Sequence, residues 1–432
     1  MTIWKLRPGA DKRVRAHHPW VFSNELQQSP KGHPPGEPVR LVDHKGQFLA
    51  AGYGNPHSLI SFRALSFDPH VQDPTSLEEI ISQVISCWGH RSVLGYHLSF
   101  RLCYGENDYL PGLVLDRYVI EDQGQQSQVF AVQILTAGMQ FALSDLNRFF
   151  NRLVEESVAA KLSSFGWDET SVVIRNDVQI RRLEGLEVEP VKVLHQGQKA
   201  NLNHAQILIH PAVGEAPIKM ACDLIEGQKT GFFLDQAYNI KLLCDQIMKS
   251  TQFESPVRIL DLCCYVGQWS TQLARALKEK GLSVEVTAVD VSETALAFAK
   301  ENIEREGAQA IIMKKDVLEE LNSLPDKHYD IVIADPPAFI KAKKDVPTGR
   351  HAYLKMNTHA FRLVQRGGFV VSCSCSGLFE EKEMMEVLGK AIRRMDLRAR
   401  CICRGGHAAD HPNLMSFPEG FYLKMFIHQV EY

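Results

Sequence analysis

The strongest constraint on the fold is an alternation of apolar and amphipathic segments that begins at residue 257. Three apolar segments are typical of strands: "VRILDLCCYVG", "VEVTAVDVS" and "YDIVIADPPAF". A further apolar segment, "GGFVVSCSCS", follows them. Between the second and third strands lies "SETALAFAKENIERE", a predicted helix with Ser292 at its N-cap and acidic residues in its first turn. Strands that alternate with helices predict a parallel, doubly wound sheet of the α/β class.

The chain before this sheet has a different pattern. Short strands broken by glycine and proline predict a small β-barrel over residues 1–70, and "DPHVQDPTS" is typical of a linker. Residues 75–190 predict a central α+β domain. Its helices are expected in "SLEEIISQVISCWGHRSVL" and "FALSDLNRFFNRLVEESVAAKL", and its strands in "LPGLVLDRYV" and "SQVFAVQIL". The α/β domain is then expected over residues 195–432.

Composition excludes some classes of protein. A chain of 432 residues exceeds the size of one compact core, which agrees with several domains. The N-terminus lacks the apolar core of a signal peptide, and no uncharged run is long enough to span a bilayer. We therefore expect a cytoplasmic protein with no membrane partner. Ten cysteines in such a protein are expected to be mostly small buried hydrophobic residues rather than a disulfide framework.

The net charge of −3 supplies no global field for nucleic acid, so any RNA contact must use local patches. Two basic patches occur, and a solvated surface is the alternative interpretation of either one. Their members are Lys5, Arg7, Lys12, Arg13 and Arg15 in the first patch, and Lys341, Lys343, Lys344 and Arg350 in the second.

Three aspartates follow successive predicted strands. Ligands of doubly wound sheets bind beyond the carboxyl ends of the strands, where Asp261, Asp290 and Asp316 are expected. Asp290 suits the hydroxyls of a ribose, and Asp316 suits an adenine amino group. A single aspartate is as readily a helix cap, but three at successive strand ends favour a ligand.

The turn after the first strand distinguishes two classes of cofactor. A dinucleotide fold needs several glycines to cradle a pyrophosphate, whereas this turn has only Gly267 after bulky residues that include Tyr265. A ligand without a pyrophosphate is therefore favoured, and we predict S-adenosyl-L-methionine, with Asp261, Tyr265 and Gly267 at its binding turn. A dinucleotide-dependent oxidoreductase is the disfavoured alternative.

The tetrapeptide Asp335–Ala338, "DPPA", follows another strand. A strand that ends in Asp-Pro-Pro exposes a rigid turn with few free amides. Such a turn can present backbone carbonyls and an acid to the edge of a planar base. We therefore predict that Asp335 binds near the cofactor and that Pro336 and Pro337 contact an RNA base.

The order of "GQKTGFFLDQ", "ILDLCCYVG", "AVDVSETALAFAKENI", "ADPPAF" and "SCSCSGL" resembles the ribosomal RNA large subunit methyltransferase I-like family. These are PUA-containing class I methyltransferases that make 5-methylcytosine in 23S rRNA. The resemblance covers the whole chain. It implies a PUA-like barrel, a central α+β domain and a Rossmann-like methyltransferase domain. It also implies 23S ribosomal RNA as the substrate.

The resemblance also implies roles for three residues outside the cofactor turn. The family's catalytic cysteine lies in a Ser-Cys-Ser-Gly-Leu segment, which here is residues 374–378, so the matching nucleophile is Cys375 and Cys373 is an extra cysteine. Asp335 would stabilise charge on the base, and Gln236 in "GQKTGFFLDQ" would lie near the methionine moiety. A thiolate is needed because cytosine C5 cannot attack a methyl sulfonium unaided. Some RNA cytosine-5 methyltransferases carry a second cysteine after the Asp-Pro-Pro-like turn, but this chain does not.

The predicted RNA contacts include Lys12, Arg13 and Arg15, next to Trp20 as a stacking residue. The target base would leave its stack to reach the cofactor. Trp20 in the barrel core is the alternative.

Other functions compete with cytosine methylation. Methylation of a guanine nitrogen in rRNA keeps the fold but needs no thiolate, so Cys375 distinguishes the two reactions. An RNA-binding protein with an inactive catalytic domain is disfavoured by the intact aspartates and cysteine. We predict no metal, because the spacing of the candidate ligands matches no common zinc pattern. Those candidates are Cys373, Cys375, Cys401 and Cys403 with His407 or His411. The oligomeric state stays open, with a homodimer as one expectation.

Overall fold

A computed structural model of the chain describes residues 1–197, 200–250 and 252–431. The chain forms two compact units, and each is built from several segments. Unit 1 comprises Met1–Ala205, Asp223–Phe232 and Ala409–Gly420; unit 2 comprises Gln206–Cys222, Phe233–Ala408 and Phe421–Tyr432. The boundaries at 70, 75, 190 and 195 stay a prediction. Within the described ranges, no helix is both long and apolar enough to cross a membrane.

The N-terminal part of unit 1 is a five-stranded sheet around its own apolar core. Its elements are β1 (Thr2–Lys5), α1 (Lys12–Arg15), β2 (Trp20–Phe22), β3 (Pro38–Val42), β4 (Phe48–Gly54) and β5 (Ile60–Ser66). The strand order is β1-β3-β4-β5-β2. A backbone bridge between Leu6 and Leu26 joins the chain that follows β1 to the chain that follows β2, so the outer strands meet. This curled sheet matches the predicted small barrel.

The central part of unit 1 is a mixed sheet with helices. Its elements are α2 (Leu77–Val93), β6 (Phe100–Tyr104), β7 (Leu113–Asp122), β8 (Gln125–Ile134), α3 (Ala137–Ala142), α4 (Leu146–Ala159), β9 (Thr170–Ile174) and β10 (Lys192–His195). Four of these strands run in the order β10-β9-β8-β7, and the fifth, β6, pairs with β7. The predicted strands β7 and β8 and the predicted helix α2 are all present.

One predicted helix in this region was wrong. The segment "FALSDLNRFFNRLVEESVAAKL" forms two helices, because helical structure is interrupted between Ala142 and Leu146. Asp145 occupies the N-cap of the second helix, where its side chain accepts a hydrogen bond from the Arg148 amide at 3.0 Å. Aspartate favours such a cap over a helix interior because its carboxylate satisfies an amide with no partner inside the helix.

Unit 2 contains the predicted doubly wound sheet. Its elements are β11 (Ala205–Ile209), β12 (Ile218–Cys222), α5 (Ala237–Lys249), β13 (Val257–Leu262), α6 (Gln268–Glu279), β14 (Val284–Asp290), α7 (Glu293–Arg305), β15 (Gln309–Lys314), β16 (Tyr329–Ala334), α8 (Val346–Leu363), β17 (Val364–Ser374), α9 (Glu381–Arg394), β18 (Arg398–Gly405) and β19 (Lys424–Glu431). The predicted helix α7 begins after Ser292, whose hydroxyl accepts a hydrogen bond from the Ala295 amide. β11 pairs with β12.

The main sheet of unit 2 has the order β15-β14-β13-β16-β17-β19-β18. The first five strands pair in parallel, and β19 is antiparallel to both of its neighbours. From β13 the chain progresses to one side through β14 and β15, and then returns to β16 on the other side. This reversal between β13 and β16 is the switch point at which doubly wound sheets bind ligands. The predicted fold class is confirmed.

Burial on both faces of this sheet explains its apolar strands. Successive side chains of a strand point to opposite faces, so Ile259 joins the core on one side and Leu260 joins the core on the other. Both side chains are fully buried. Each such residue contributes roughly 1.5–3 kcal/mol by leaving water. The sheet therefore forms a rigid platform for the residues at its carboxyl edge.

Candidate active site

The turn after β13 has an unusual backbone. Cys263, Tyr265 and Gly267 have φ values of 62°, 50° and 75°, in the left-handed region. Residues other than glycine adopt this region at a cost, and such strain is concentrated at functional sites. At Gly267 a side chain is also excluded by space, because a Cβ atom there would lie 3.2 Å from both Cα and Cβ of Ala299. The lone glycine of this turn therefore serves the packing against α7.

Asp290 connects the turns that follow β13 and β14. One carboxylate oxygen accepts a hydrogen bond from the Tyr265 amide at 3.0 Å, and the other accepts one from the Ser292 amide at 3.0 Å. The residue is largely buried. Asp290 thus holds the backbone of the predicted cofactor turn in place. The contact of Asp290 with a ribose stays a prediction. Each carboxylate oxygen has a second lone pair that could accept a hydrogen bond from a ribose hydroxyl.

Asp261 is fully buried at the end of β13. Its Oδ2 atom accepts a hydrogen bond from the Ser270 hydroxyl at 2.6 Å, whereas Oδ1 has no partner among the described residues. Burial raises the pKa of this carboxyl to about 7; the charges of Asp335 and Asp290 also raise the pKa, and the bond from Ser270 opposes them. A buried acceptor without a donor is costly unless a ligand supplies one. The α-ammonium group of S-adenosylmethionine suits this atom.

Asp335 lies at the end of β16, across the switch point from Asp261. Its Oδ2 atom accepts hydrogen bonds from the Gln236 side-chain amide at 2.8 Å and from the Trp269 indole at 3.0 Å. The Gln236 oxygen in turn accepts a bond from the Asn239 side chain at 2.6 Å. The structure thus brings the predicted residues Gln236 and Asp335 together. Sequence reasoning missed Trp269 and Asn239, although both lie within three residues of predicted site residues.

The two cysteines of "SCSCS" have different surroundings. Cys373 lies inside β17 and is fully buried in the apolar core, where burial raises the pKa of its thiol well above the usual value. Cys375 follows the end of the strand and is partly exposed. Its Sγ atom lies 3.8 Å from the carbonyl oxygen of Pro336. The structure therefore brings Cys375, and not Cys373, to the Asp-Pro-Pro turn, where Pro336 is buried and Pro337 is exposed.

The serines on either side of Cys375 fix the backbone of this segment. The hydroxyls of Ser374 and Ser376 each lie 2.9 Å from the Tyr353 hydroxyl of α8. The Ser376 hydroxyl also accepts a bond from the Ile340 amide at 3.1 Å. Burial raises the pKa of Tyr353, so its hydroxyl stays protonated at neutral pH. Tyr353 is a further residue that sequence reasoning missed, because its link to the serines spans more than twenty residues.

Lys424 approaches the same segment from β19. Lys424 pairs with Ser374 in the register of β17 and β19. Its side-chain nitrogen donates a hydrogen bond to the Ser376 carbonyl oxygen at 2.7 Å. Burial lowers the pKa of Lys424 to about 8, while the thiol of Cys375 and the carboxylates of Glu381 and Glu383 act to raise it. Sequence reasoning did not single out this lysine.

Asp316 follows the end of β15 and is exposed. Its Oδ1 atom accepts a hydrogen bond from the Leu318 amide at 2.7 Å, and its own amide donates to the Glu320 carboxylate at 2.7 Å. Asp261, Asp290 and Asp316 therefore lie at the carboxyl ends of three adjacent strands, at one edge of the sheet, as predicted from the sequence. A contact between Asp316 and adenine stays a prediction.

The predicted RNA-binding arginines in unit 1 are engaged with acids. Arg15 forms ion pairs with Asp11 at 2.5 Å and with Asp43 at 2.7 Å. Arg13 lies 3.7 Å from Glu419 and contacts the ring of His18. The acids partly balance the positive charge of the arginines. Lys12 is exposed and is thus the least constrained cation of the three.

Trp20 lies beside these arginines and is partly exposed rather than in the barrel core. Its indole N–H donates to Glu106 at 2.9 Å, and the Arg63 guanidinium lies 5.5 Å from the ring centre. Stacking of an RNA base on this ring stays a prediction. For the metal alternative, the described part of the chain contains no group of three or more His, Cys, Asp or Glu side chains suited to hold an ion.

Two family models match the chain. A model of a PUA-like domain matches residues 5–67, and a model of a methyltransferase small domain matches residues 235–393. Ribosomal RNA large subunit methyltransferase I of Pseudoalteromonas translucida is 32% identical over 432 residues, which cover 98% of this chain and 98% of that protein. The protein of the same name from Photobacterium profundum is 30% identical and covers 97% of this chain and 96% of its own length.

Two solved structures share the fold over nearly the full length. A Streptococcus mutans protein described as a SAM-dependent methyltransferase covers 99% of this chain and 100% of its own, with a TM-score of 0.71 and 16% identity. The SMU.776 protein, described as a methyltransferase and complexed with SAH, has the same coverage, a TM-score of 0.72 and 17% identity.

Proposed function

Because this chain belongs to the ribosomal RNA large subunit methyltransferase I family, we propose that it methylates C5 of a cytosine in 23S ribosomal RNA. The methyl donor is S-adenosylmethionine, and the reaction passes through a covalent bond between Cys375 and C6 of the base. The observation that carries the cytosine assignment is the position of the Cys375 thiol, 3.8 Å from the Pro336 carbonyl of the Asp-Pro-Pro turn. Methylation of a nitrogen atom needs no thiol at this turn.

The residues at the carboxyl edge of the sheet fit the cofactor. The Oδ1 atom of Asp261, which lacks a donor in the described part of the chain, would accept a hydrogen bond from the α-ammonium group. Asp290 would accept hydrogen bonds from the ribose hydroxyls, and Asp316 would accept one from the adenine amino group. Tyr265 and Gly267 shape the turn beside the ligand. When bound, S-adenosylmethionine supplies a methyl group on a sulfonium, which is an electrophile.

Cys375 has the central role in the chemistry. Its thiolate forms a bond to C6 of the cytosine, and the electron pair of the C5–C6 double bond becomes available at C5. C5 would take the methyl group as the bond from that group to the cofactor sulfur breaks and leaves its electron pair on sulfur. Asp335 accepts a hydrogen bond from the exocyclic amino group of the base and so orients the ring while the sulfur adds. A base then removes the C5 proton, and the electrons of that C–H bond expel Cys375 as the S–C6 bond breaks. Gln236 and Trp269 orient Asp335 through its Oδ2 atom.

Substrate binding involves the exposed cations of unit 1. Lys12, Arg13 and Arg15 contact the phosphate backbone, and Trp20 stacks on an unpaired base. The target cytosine leaves its stack and enters the site beside Pro336 and Pro337. We expect this enzyme to act in the cytoplasm.

RNA that carries 5-fluorocytosine tests the covalent step. Fluorine at C5 cannot leave as a proton does, so the bond between Cys375 and C6 should persist after methyl transfer. A gel shift under denaturing conditions should show this adduct with the wild type and with Cys373→Ala, and should show none with Cys375→Ala. If Cys375→Ala methylates unmodified rRNA at the wild-type rate, the covalent mechanism is wrong and methylation of a guanine nitrogen becomes the better assignment.

A further inference from the structure

Lys424 reaches across the segment that carries the nucleophile. It pairs with Ser374 across β17 and β19, and its side chain extends to the carbonyl oxygen of Ser376, 2.7 Å away. The side chain therefore spans the two residues on either side of Cys375. A lysine placed in this way has its nitrogen held at the backbone of the residue that follows the cysteine.

The surroundings of Lys424 favour exchange of its proton. The groups that bear on its charge are the Cys375 thiol at the end of β17 and the Glu381 and Glu383 carboxylates of α9. The two glutamates are already engaged, since Glu383 pairs with Arg350 at 2.6 Å and Glu381 with Arg404 at 3.3 Å. Burial brings the pKa of the amine to about 8, near the usual pKa of a cysteine thiol.

We propose that Lys424 converts Cys375 to its thiolate, by taking the thiol proton and then holding the thiolate as the ammonium partner. The inference rests on the proposed function, because it concerns the same nucleophile. In this step the S–H bond of Cys375 breaks, its electron pair stays on sulfur, and the proton forms an N–H bond on the neutral amine of Lys424. The products are a thiolate and an ammonium, so charge and atoms balance without any other reactant.

The other polar groups near the thiol are less suited to this role. The Tyr353 hydroxyl is held between Ser374 and Ser376, and burial raises its pKa, so the phenol stays protonated and cannot take the thiol proton. Asp335 accepts the hydrogen bonds of Gln236 and Trp269 and carries negative charge, which opposes a nearby thiolate. Lys424, by contrast, is bound directly to this segment; as the neutral amine it can take a proton, and it is then a cation that favours the thiolate.

Site-resolved alkylation measures the thiolate without requiring turnover. The wild type, Lys424→Met and Lys424→Arg are treated with iodoacetamide from pH 6 to 10, and modification of the Cys375 peptide is followed by mass spectrometry. Cys401 and Cys403 on β18 serve as internal references, and Cys375→Ala identifies the correct signal. At pH 7.5 we expect Cys375 to react at least ~10-fold more slowly in Lys424→Met, with its apparent pKa raised by about one unit or more. Lys424→Arg cannot take the proton but keeps the cation that holds the thiolate, and because alkylation reports the amount of thiolate at equilibrium, this variant should retain most of the wild-type reactivity.

The pH dependence of adduct formation separates this role from a structural one. With 5-fluorocytosine RNA, Lys424→Met should form the adduct slowly at pH 7.5 and recover towards the wild-type rate near pH 9.5, where the thiol ionises unaided. A purely structural defect would not recover with pH. Binding of S-adenosylhomocysteine, measured by calorimetry, verifies that each variant is folded.

The results distinguish failure of the proposed covalent function from failure of the proposed role of Lys424. If the wild type forms no adduct, the proposed covalent function is wrong. If the wild type forms the adduct but Lys424→Met alkylates Cys375 with the wild-type pH profile, only the role of Lys424 is overturned. Should Lys424→Met fail to bind S-adenosylhomocysteine, Lys424→Arg decides: loss of Cys375 reactivity in this folded, charged variant would contradict the proposal.

Discussion

At the residue scale, the two cysteines differ in exposure because the strand ends between them. Cys373 and Cys375 are two residues apart and would point to the same face of a continuous strand. However, β17 ends at Ser374, so Cys373 packs inside the sheet while Cys375 lies beyond its edge. The alternate residues Ser372 and Ser374 point to the other face, where they bind Asn357 and Tyr353 of α8. The end of the strand therefore determines which thiol is accessible.

Cys373→Ala should reduce stability without removing activity. The side chain is fully buried in the apolar core, so its removal leaves a small cavity that should cost about 1 kcal/mol in the free energy of unfolding. Urea denaturation measures this loss. Cys375→Ala is the matched control, because truncation of a partly exposed side chain should change the unfolding free energy much less. Equal losses for the two variants would contradict the assignment of Cys373 to the core.

Asp261→Asn should change how stability depends on pH. Burial raises the folded-state pKa of Asp261 from 3.8 to about 7, so between these values the folded protein retains a proton that the unfolded chain has released. This group therefore lowers stability progressively as pH rises from about 4 to 7, and the full penalty, at most ~4 kcal/mol, applies above that range. Asparagine removes the charge, so the variant should lose this pH dependence and be relatively more stable at pH 8.

Calorimetry with S-adenosylhomocysteine completes the test of Asp261. The Asp261→Asn variant should bind the ligand more weakly, because a neutral amide is a poorer partner for the α-ammonium group. Asp330→Asn is a suitable control, because burial also raises the pKa of Asp330. The Asp330 carboxylate accepts a hydrogen bond from the Arg258 amide at 2.8 Å and is not part of the cofactor turn. Unchanged ligand affinity in Asp261→Asn would remove this residue from the cofactor site.

At the element scale, the turn between β13 and α6 depends on both conformation and close packing. Its three left-handed residues place the start of α6 against α7, and Asp290 binds the turn through the Tyr265 amide. The order of elements around it was evident in the sequence. The left-handed conformations of Cys263 and Tyr265 were not, because neither residue type favours that region of backbone space.

Gly267→Ala should lower the free energy of unfolding by more than the strain of a left-handed alanine alone would. Its φ of 75° disfavours alanine, and the added Cβ would lie 3.2 Å from two Ala299 atoms. Gly281→Ala is the matched control: Gly281 has a φ of 77° near the end of α6, but a Cβ there meets nothing within 4 Å. We expect a loss of roughly 1 kcal/mol for Gly281→Ala and a clearly larger loss for Gly267→Ala in chemical denaturation. Equal losses would show that contact with Ala299 is unimportant.

At the scale of the whole molecule, the proposed RNA contacts of Lys12, Arg13 and Arg15 and the proposed chemistry of Cys375 lie in different units. The net charge of −3 means that RNA attraction must come from local cations. In unit 1 these cations lie close to acids, since Arg15 pairs with both Asp11 and Asp43. The arrangement predicts a contact that orients RNA locally rather than a strong, general attraction for nucleic acid.

Charge reversal at Lys12, Arg13 and Arg15 should weaken RNA binding and reduce its dependence on salt. Each lost phosphate contact should lower the slope of log affinity against log salt by roughly one unit. Lys12→Glu alone should account for much of the effect, because Lys12 is exposed whereas Arg15 is engaged with two carboxylates. Affinity for S-adenosylhomocysteine should be unchanged in each variant. An unchanged salt slope in the triple variant would mean that this patch is only a solvated surface.

The sequence by itself determined the class of fold and the edge of the sheet at which we propose that the cofactor binds. Continuous apolar segments that alternate with amphipathic helices permit few arrangements other than a doubly wound sheet, and residues at the carboxyl ends of parallel strands must share one edge. The chain order of strands and helices is therefore sufficient to place Asp261, Asp290 and Asp316 at that edge. Local patterns also predicted the cap of α7, because a helix start is encoded within a few residues.

Tertiary structure alone decided which groups meet around Cys375. Tyr353, Lys424 and Trp269 come from α8, β19 and α6, and their contacts with the site join residues that are far apart in the chain. Cross-strand register placed Lys424 opposite Ser374, and no local pattern encodes that register. The break between α3 and α4 was also missed, because a continuous apolar periodicity concealed the cap at Asp145. Local chemistry specifies elements and their ends, whereas packing over long distances in the chain selects the partners of each reactive group.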